Sequence, residues 1–391
     1  MKLDASRRFA RLALSLAAWV AFATHAFLFA SAEDWKSLYN EGVTAMEEND
    51  AVIAAPFFEK AAALHPNDPN VLFGLASAYF RSGRAQQGLA QVHNLLSLPG
   101  LDFKSLMSTG HLLMNRGWLA EAIETFKRAR KIAPPTVEGQ KSSVYFEDLF
   151  AYLLTQSKQN EEAVEHLQNL VEAKPDDPEI RFRLVLALAK TADFGRAYQA
   201  AQQALQQFPD DPQTVLGYAL ACYFTQHTEA AESAYLRLIQ MKPDSDQPYF
   251  ALGNFYSDLG KFDYAAKEFQ VAVSKDSKNY LNHYMYGTML FRLHKLPEAV
   301  AALRKALELN PSHADSYFWL GRIDLRQGKE EEAIKAFERT VKLEPKHIGA
   351  YYQLGLLLGR KGDKEKSERM FKMQEQLNED IHKGIVAERM P

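Results

Sequence analysis

The sequence predicts an all-α fold made of about ten helix-turn-helix repeats, each 34 residues long. The first observation is proline spacing, because Pro175, Pro209 and Pro243 follow one another at intervals of 34 residues, as do Pro311 and Pro345. The second is a small residue at two fixed positions of each interval, and the third is an apolar pattern with helical spacing. Self-similarity at a period of this length is typical of repeat architectures.

Ten units, numbered one to ten, follow from this spacing with one interruption. Pro134 and Pro175 are 41 residues apart, and a polar insert of seven residues at 137–143 accounts for the difference. The units begin at residues 35, 69, 103, 144, 178, 212, 246, 280, 314 and 348. We therefore expect residues 33–379 to form the repeat array and residues 380–391 to form a C-terminal cap or tail.

Each unit has the pattern of two helices that pack on each other. Positions 4, 7, 8 and 11 of a unit fall on one face of a first helix, and positions 20, 24 and 27 on one face of a second. Position 8 is small in most units, as in Gly321, and so is position 20, as in Ala333. We expect these small residues to let the two helices approach closely.

The helices of each unit are separated by recognisable turn residues. Position 15 is glycine in five units, which suits the left-handed residue that ends many helices. Proline near position 32 cannot continue the second helix and marks the passage to the next unit. The five glycines are Gly83, Gly117, Gly260, Gly328 and Gly362.

These residues resemble the tetratricopeptide repeat, and the resemblance extends from Trp35 to about Asp380. It implies a right-handed α-solenoid of paired antiparallel helices, in which the first helix of each pair lines a concave groove. It also implies that positions 2, 5, 9, 12 and 13 face that groove. The charged segment after Phe371 is then expected to cap the last unit with a polar face.

Position 5 is large and apolar in nine of the ten units, and seven of those nine residues are aromatic. Aromatic side chains exposed in a groove bury a large area at a small entropic cost, which favours peptide binding. The alternative is that the rings pack against the neighbouring unit. The rings of interest are Phe250, Tyr284, Phe318 and Tyr352.

Position 13 is basic in three consecutive units, at Arg292, Arg326 and Arg360, with Trp319 and Arg322 nearby in unit nine. A row of guanidinium groups suits an acidic or C-terminal peptide through bidentate hydrogen bonds. The alternative is that each arginine complements the dipole at the end of its own helix. Together with the four rings, these five residues form the predicted peptide-binding groove.

The N-terminus has the layout of a secretory signal peptide. Basic residues precede an apolar run at residues 12–30, and small residues at Ala30 and Ala32 form a cleavage site. The run is also nearly long enough to remain as a membrane anchor. In both cases we expect the body to be exported, to the periplasm or the extracellular space.

Composition and motifs argue against several functional classes. A formal net charge of −3 lacks the basic excess of a nucleic-acid-binding domain. The sequence contains no His-Glu-x-x-His motif and no glycine-rich phosphate loop, so we expect neither an enzyme nor a cofactor or metal. Cys222 is the only cysteine, and we expect it to be a small buried apolar residue.

Two functions remain for an array of this kind. The first is an interaction scaffold that holds protein segments in its groove, in the assembly or regulation of a bacterial cell envelope. The second is a structural subunit of a machine for secretion, pili or polysaccharide export. A self-standing scaffold should be soluble alone, whereas an isolated subunit should expose a large apolar patch.

Overall fold

The computed structural model describes the backbone of residues 34–133 and 139–387, and the side chains of residues 34–133 and 144–380. The predicted export segment, with Ala30 and Ala32, lies outside the described residues. Within the described part of the chain, no helix is both long enough and apolar enough to cross a membrane.

The described residues form twenty helices and no strand, and the chain divides into two compact bodies, with the boundary in sequence between Pro175 and Asp176. The predicted all-α repeat fold is confirmed. In the N-terminal body the helices are α1 Trp35–Glu47, α2 Ala51–Leu64, α3 Pro69–Arg81, α4 Ala85–Ser97, α5 Phe103–Asn115, α6 Leu119–Lys131, α7 Gly139–Gln156 and α8 Asn160–Ala173.

In both bodies, consecutive helices pack on each other in pairs, one pair for each predicted unit. The helices of the C-terminal body follow. They are α9 Pro178–Lys190, α10 Phe194–Gln207, α11 Pro212–Phe224, α12 Thr228–Met241, α13 Gln247–Asp258, α14 Phe262–Lys275, α15 Tyr280–Arg292, α16 Leu296–Leu309, α17 Ala314–Arg326, α18 Glu330–Leu343, α19 Ile348–Arg360 and α20 Lys364–Ala387.

Two helices are longer than the 34-residue pattern requires. Helix α7 begins at Gly139, so residues 139–143 of the predicted insert lengthen the first helix of unit four. Helix α20 continues to Ala387 and passes through the expected boundary between residues 379 and 380. The second helix of the last repeat therefore continues into the tail as far as Ala387.

The turn between the two helices of a unit uses a left-handed residue at position 15 in all ten units. The five predicted glycines have φ between 72 and 85°, which confirms their role. The other five units place a non-glycine residue in the same conformation, at a steric cost that glycine avoids. These are Asn49, Lys158, Ala192, Gln226 and His294, with φ between 59 and 66°.

The small residue at position 8 makes room for the side chain at position 24 of the same unit. A Cβ atom added to Gly321 would lie only 2.8 Å from the Phe337 ring, and one added to Gly253 would lie 2.8 Å from the Phe269 ring. Each of the five units with phenylalanine at position 24 has glycine at position 8. The close approach predicted from the sequence is thus between one helix backbone and a ring of the other helix.

A buried carboxylate connects two units of the N-terminal body. Arg130 Nη2 donates to Glu147 Oε1 over 2.7 Å, and Asn169 Nδ2 donates to Glu147 Oε2 over 3.2 Å. Nδ1 of His166 lies 2.6 Å from the same Oε2. Burial alone would raise the pKa of Glu147, but the hydrogen bonds from His166 and Asn169, with the nearby positive charges, outweigh burial and lower it.

Candidate peptide-binding site

Three arginine side chains gather around two aromatic rings in the C-terminal body. Trp319, Arg322 and Arg326 lie three and four residues apart on α17, so they share one face of that helix. Phe291 and Arg292 are the last two residues of the preceding first helix, α15. We call Arg292, Arg322 and Arg326, together with Trp319 and Phe291, the arginine cluster.

The rings hold the guanidinium groups by cation–π contacts. The guanidinium carbon of Arg322 lies 4.9 Å from the Trp319 ring centre and 5.3 Å from that of Phe291. Arg292 lies 5.5 Å from Trp319 and 5.6 Å from Phe262, and Arg326 lies 3.9 Å from Phe291. Because each ring fixes a long and flexible side chain, the charges are positioned before any ligand arrives.

No described carboxylate neutralises these charges, since none of the three arginines forms an ion pair with a described residue. Arg326 donates to the Phe291 carbonyl oxygen over 3.4 Å and lies 3.2 Å from His294 Nδ1. The pKa of Arg322 is lowered, first by burial and then by the charges of Arg292 and Arg326. The cluster is therefore a site of like-charge repulsion that an anion would relieve.

Arg360, the third arginine of the predicted row, has a different environment. Its Nη1 donates to Glu330 Oε1 over 3.0 Å, and the neighbouring Lys361 forms an ion pair with Glu331. The structure therefore brings Arg292 and Arg326 together with Arg322, while Arg360 is already paired with an acidic residue.

The aromatic row at position 5 is mostly half-buried. Phe250 packs against Phe269, with 5.5 Å between ring centres, and Phe318 contacts Phe337 at 5.6 Å. Tyr352, with 46 % of its surface accessible, is the most exposed of the four predicted rings. Phe250 and Phe318 thus pack against rings of their own units and remain partly exposed to solvent.

Tyr284 and Phe318 also contact the histidine that ends their unit. The Tyr284 ring lies 4.6 Å from His313, and the Phe318 ring lies 4.5 Å from His347. Burial, and to a smaller degree the charge of Asp315, raise the pKa of Tyr284 to about 12. Tyr284 is therefore a neutral hydrogen-bonding group at physiological pH.

Asp315, Glu344 and His347 form the one described cluster with metal-ligand residue types. The Ala350 N–H donates to His347 Nδ1 over 3.0 Å, so the ring proton lies on Nε2, which is 3.3 Å from Asp315 Oδ1. A metal ion at Nε2 would displace that proton to Nδ1, where it would face the Ala350 N–H. The arrangement fits a helix cap joined to a carboxylate better than a metal centre.

The contact between His347 and Asp315 shifts the pKa of both groups. Burial would lower the pKa of His347, but the hydrogen bond and charge of Asp315 outweigh burial and raise it. The hydrogen bond from His347 in turn lowers the pKa of Asp315.

The N-terminal body has a polar cleft of about 820 Å³ beside two position-5 rings. Tyr39 and Phe73 line it together with Ser105, Ser108 and Thr109. This cleft lacks the concentrated charge of the arginine cluster, so its lining gives no ligand class.

The sequence-based prediction missed Phe291 and Phe262, which hold the guanidinium groups. Phe291 is at position 12, one of the positions that the family resemblance places in the groove. That signal could have found Phe291, whereas Phe262 begins a second helix and carries no such signal.

Family models for the tetratricopeptide repeat match this chain in several places. One matches residues 45–97, 154–213 and 188–252, and another matches residues 73–135. The model of the middle TPR-like domain of cilia and flagella-associated protein 70 matches residues 249–377. No curated protein matches the chain.

Solved structures of similar fold include a tetratricopeptide repeat protein from Parabacteroides merdae, 15 % identical, with a TM-score of 0.50 over 66 % of this chain and 98 % of that one. MamA is 27 % identical over 42 % of this chain and 96 % of its own, with a TM-score of 0.39. YrrB, described as a TPR protein with an unusual peptide-binding site, is 18 % identical over 48 % and 96 %, with a TM-score of 0.38.

Proposed function

Because the chain belongs to the tetratricopeptide repeat family, we propose that it is a non-enzymatic interaction scaffold that binds acidic peptide segments at its arginine cluster. The partners are proteins, with no nucleic acid and no cofactor. The binding surface consists of the arginine cluster, as its charged centre, and the predicted groove rings Phe250, Tyr284, Phe318 and Tyr352. Arg360, which is paired with Glu330, is not part of it.

The observation that carries this proposal is the presence of three adjacent arginines without a described acidic partner. Charge-assisted hydrogen bonds from a guanidinium group to a carboxylate contribute about 1.5–3 kcal/mol each. A carboxylate ligand would also relieve the repulsion from Arg292 and Arg326, which adds to burial in lowering the pKa of Arg322. Both effects therefore favour the binding of an acidic segment and disfavour the binding of a basic segment.

The partly exposed rings supply the apolar part of such a surface. Tyr352 and the half-buried Phe318 and Trp319 lie on α17 and α19, the first helices of consecutive units. Peptide-binding surfaces combine aromatic anchors of this kind with a few oriented charges.

We place this scaffold outside the cytoplasm, in cell-envelope assembly or regulation. The support is the N-terminal sequence, in which basic residues, an apolar run at residues 12–30 and the Ala30–Ala32 site follow in the order of an export signal. Contact with the membrane would then occur only through that segment, if it is retained.

A second candidate function is a structural subunit of a secretion, pilus or polysaccharide-export machine. The observation that favours it is a set of exposed apolar side chains on α2, where Val52, Ile53 and Leu64 are 69, 54 and 55 % exposed. Exposed apolar side chains are common at subunit interfaces.

An affinity capture tests the scaffold proposal. The wild-type protein and an Arg292→Glu/Arg326→Glu variant are used as baits, and bound proteins are then purified and titrated at low and high salt. Both substituted residues are exposed, so the fold should persist, which a melting curve checks. We expect the charge reversal to weaken partner binding at least about tenfold, the equivalent of about one charged hydrogen bond.

The matched control is Arg360→Glu/Arg369→Glu, because both of these exposed arginines already have an acidic partner. This control should leave partner affinity unchanged. A partner that binds the cluster variant as tightly as the wild type would refute the proposed site. Association of the protein with itself through α2 would instead favour the subunit function.

A further inference from the structure

We infer that the arginine cluster binds two acidic side chains separated by one residue in an extended segment. This inference rests on the proposed function and adds the spacing of the charges that the site selects. It follows from which guanidinium groups are uncommitted and from how far apart they lie.

Two of the three guanidinium groups have their donors free for a ligand. Arg292 and Arg322 contact rings, and neither has a hydrogen bond to a described acceptor. Arg326 differs, since it already donates to the Phe291 carbonyl and lies beside His294. The site therefore offers two guanidinium groups with free N–H donors, those of Arg292 and Arg322, which we call the open forks. Each is suited to one carboxylate.

The two open forks face a common ring. Both guanidinium carbons lie within 5.5 Å of the Trp319 ring centre, at 5.5 and 4.9 Å. They are therefore at most about 10 Å apart. In an extended peptide, two residues separated by one other lie about 7 Å apart on the same side, which is within this limit. Adjacent residues point to opposite sides, and residues separated by three others lie about 13 Å apart.

The charge distribution favours a peptide over a nucleic acid as the ligand. Nucleic-acid-binding surfaces engage about 6–10 phosphates with an extended basic stripe. Here three arginines form a local group in a chain of formal net charge −3. A short segment with two carboxylates matches that charge and size.

The test uses three peptides of identical composition with both termini capped, so that no terminal carboxylate takes part. Two glutamates are adjacent, separated by one serine, or separated by three residues. Binding to the purified protein is followed by fluorescence anisotropy. We expect the peptide with one intervening residue to bind about tenfold more tightly than the adjacent isomer, because only it engages both forks.

An Arg292→Gln variant removes one fork and should abolish the difference between the three peptides. Arg360→Gln is the matched control at the same repeat position, and it should preserve the difference. The combination separates a spacing-selective site from general attraction of anions, which would weaken equally for all peptides.

The outcomes distinguish the inference from the function on which it rests. Equal binding of the three peptides, all tighter than a neutral peptide, would overturn the spacing and leave the acidic-segment scaffold in place. Binding no tighter than that of the neutral peptide would overturn both. Tighter binding of inorganic pyrophosphate than of any peptide would show that the cluster selects phosphate anions, and would also overturn the inference.

Discussion

Replacing Gly321 with alanine perturbs the contact that sets the distance between the two helices of unit nine. The new Cβ atom would lie 2.8 Å from one Phe337 ring carbon and 3.0 Å from a second. Ordinary carbon–carbon contacts are about 3.5–4.0 Å, so either the ring or the helix must move. Phe337 is fully buried, which leaves it no solvent to move into.

Two opposing contributions determine the size of the effect. Overpacking of a filled core costs about 1–3 kcal/mol, whereas alanine in place of a helical glycine gains about 0.5–1 kcal/mol. We therefore expect Gly321→Ala to lower the free energy of unfolding by roughly 1 kcal/mol, the difference between the middle values of these two ranges.

The control is Gly195→Ala in α10, because a Cβ atom there would meet no atom within 4 Å. This variant should be more stable than the wild type, by about 0.5–1 kcal/mol. Urea unfolding followed by circular dichroism gives the midpoints. Hydrogen exchange in α17 and α18 gives the local effect, which matters because repeat arrays need not unfold in two states.

A double variant tests the cause. Gly321→Ala/Phe337→Leu recreates the pair Ala151 and Leu167, which unit four already contains. The double variant should be more stable than the sum of the two single effects predicts. If Gly321→Ala is as stable as the wild type, or if Phe337→Leu gives no rescue, the packing argument is wrong.

Three further predictions concern stability. Ala192→Gly should raise the free energy of unfolding by about 1 kcal/mol, because Ala192 has φ of 59°, and urea titration checks this. Glu147→Gln should lower the melting temperature at pH 7, and by a smaller amount at pH 3. A carboxyl group with a lowered pKa stabilises the folded protein above its ordinary pKa and loses that effect as the pH falls. An equal decrease in melting temperature at both pH values would contradict this. Truncation before Phe371 should cause earlier melting or association, since its ring packs over Gly355, and an unchanged melting curve would show that the segment is dispensable.

The repeat fold could be predicted because its determinants recur at fixed positions. Gly321 and Phe337 keep their spacing in other units, so chance resemblance in one copy is outweighed by agreement among several. The left-handed turn was predictable at glycines such as Gly328. The left-handed turn was not predictable at Ala192, because alanine disfavours a positive φ and adopts it here only to keep the geometry of the helix pair.

The candidate site was predictable only in part. Position 13 marked Arg292, Arg326 and Arg360 alike, yet Arg360 pairs with Glu330 and the other two gather around aromatic rings. Long side chains select their contacts among neighbours on other helices, and the repeat register does not contain that information. Only the structure therefore shows that Arg292 and Arg326 have no described acidic partner, whereas Arg360 does.

Hydrogen exchange of the protein with and without its captured partner tests the central claim most directly. We expect binding to protect α15 and α17, Tyr280–Arg292 and Ala314–Arg326, and we expect this protection to disappear in the Arg292→Glu/Arg326→Glu variant. Protection confined to α2 or to the N-terminal cleft, and unchanged in that variant, would contradict the claim that the arginine cluster is the binding site.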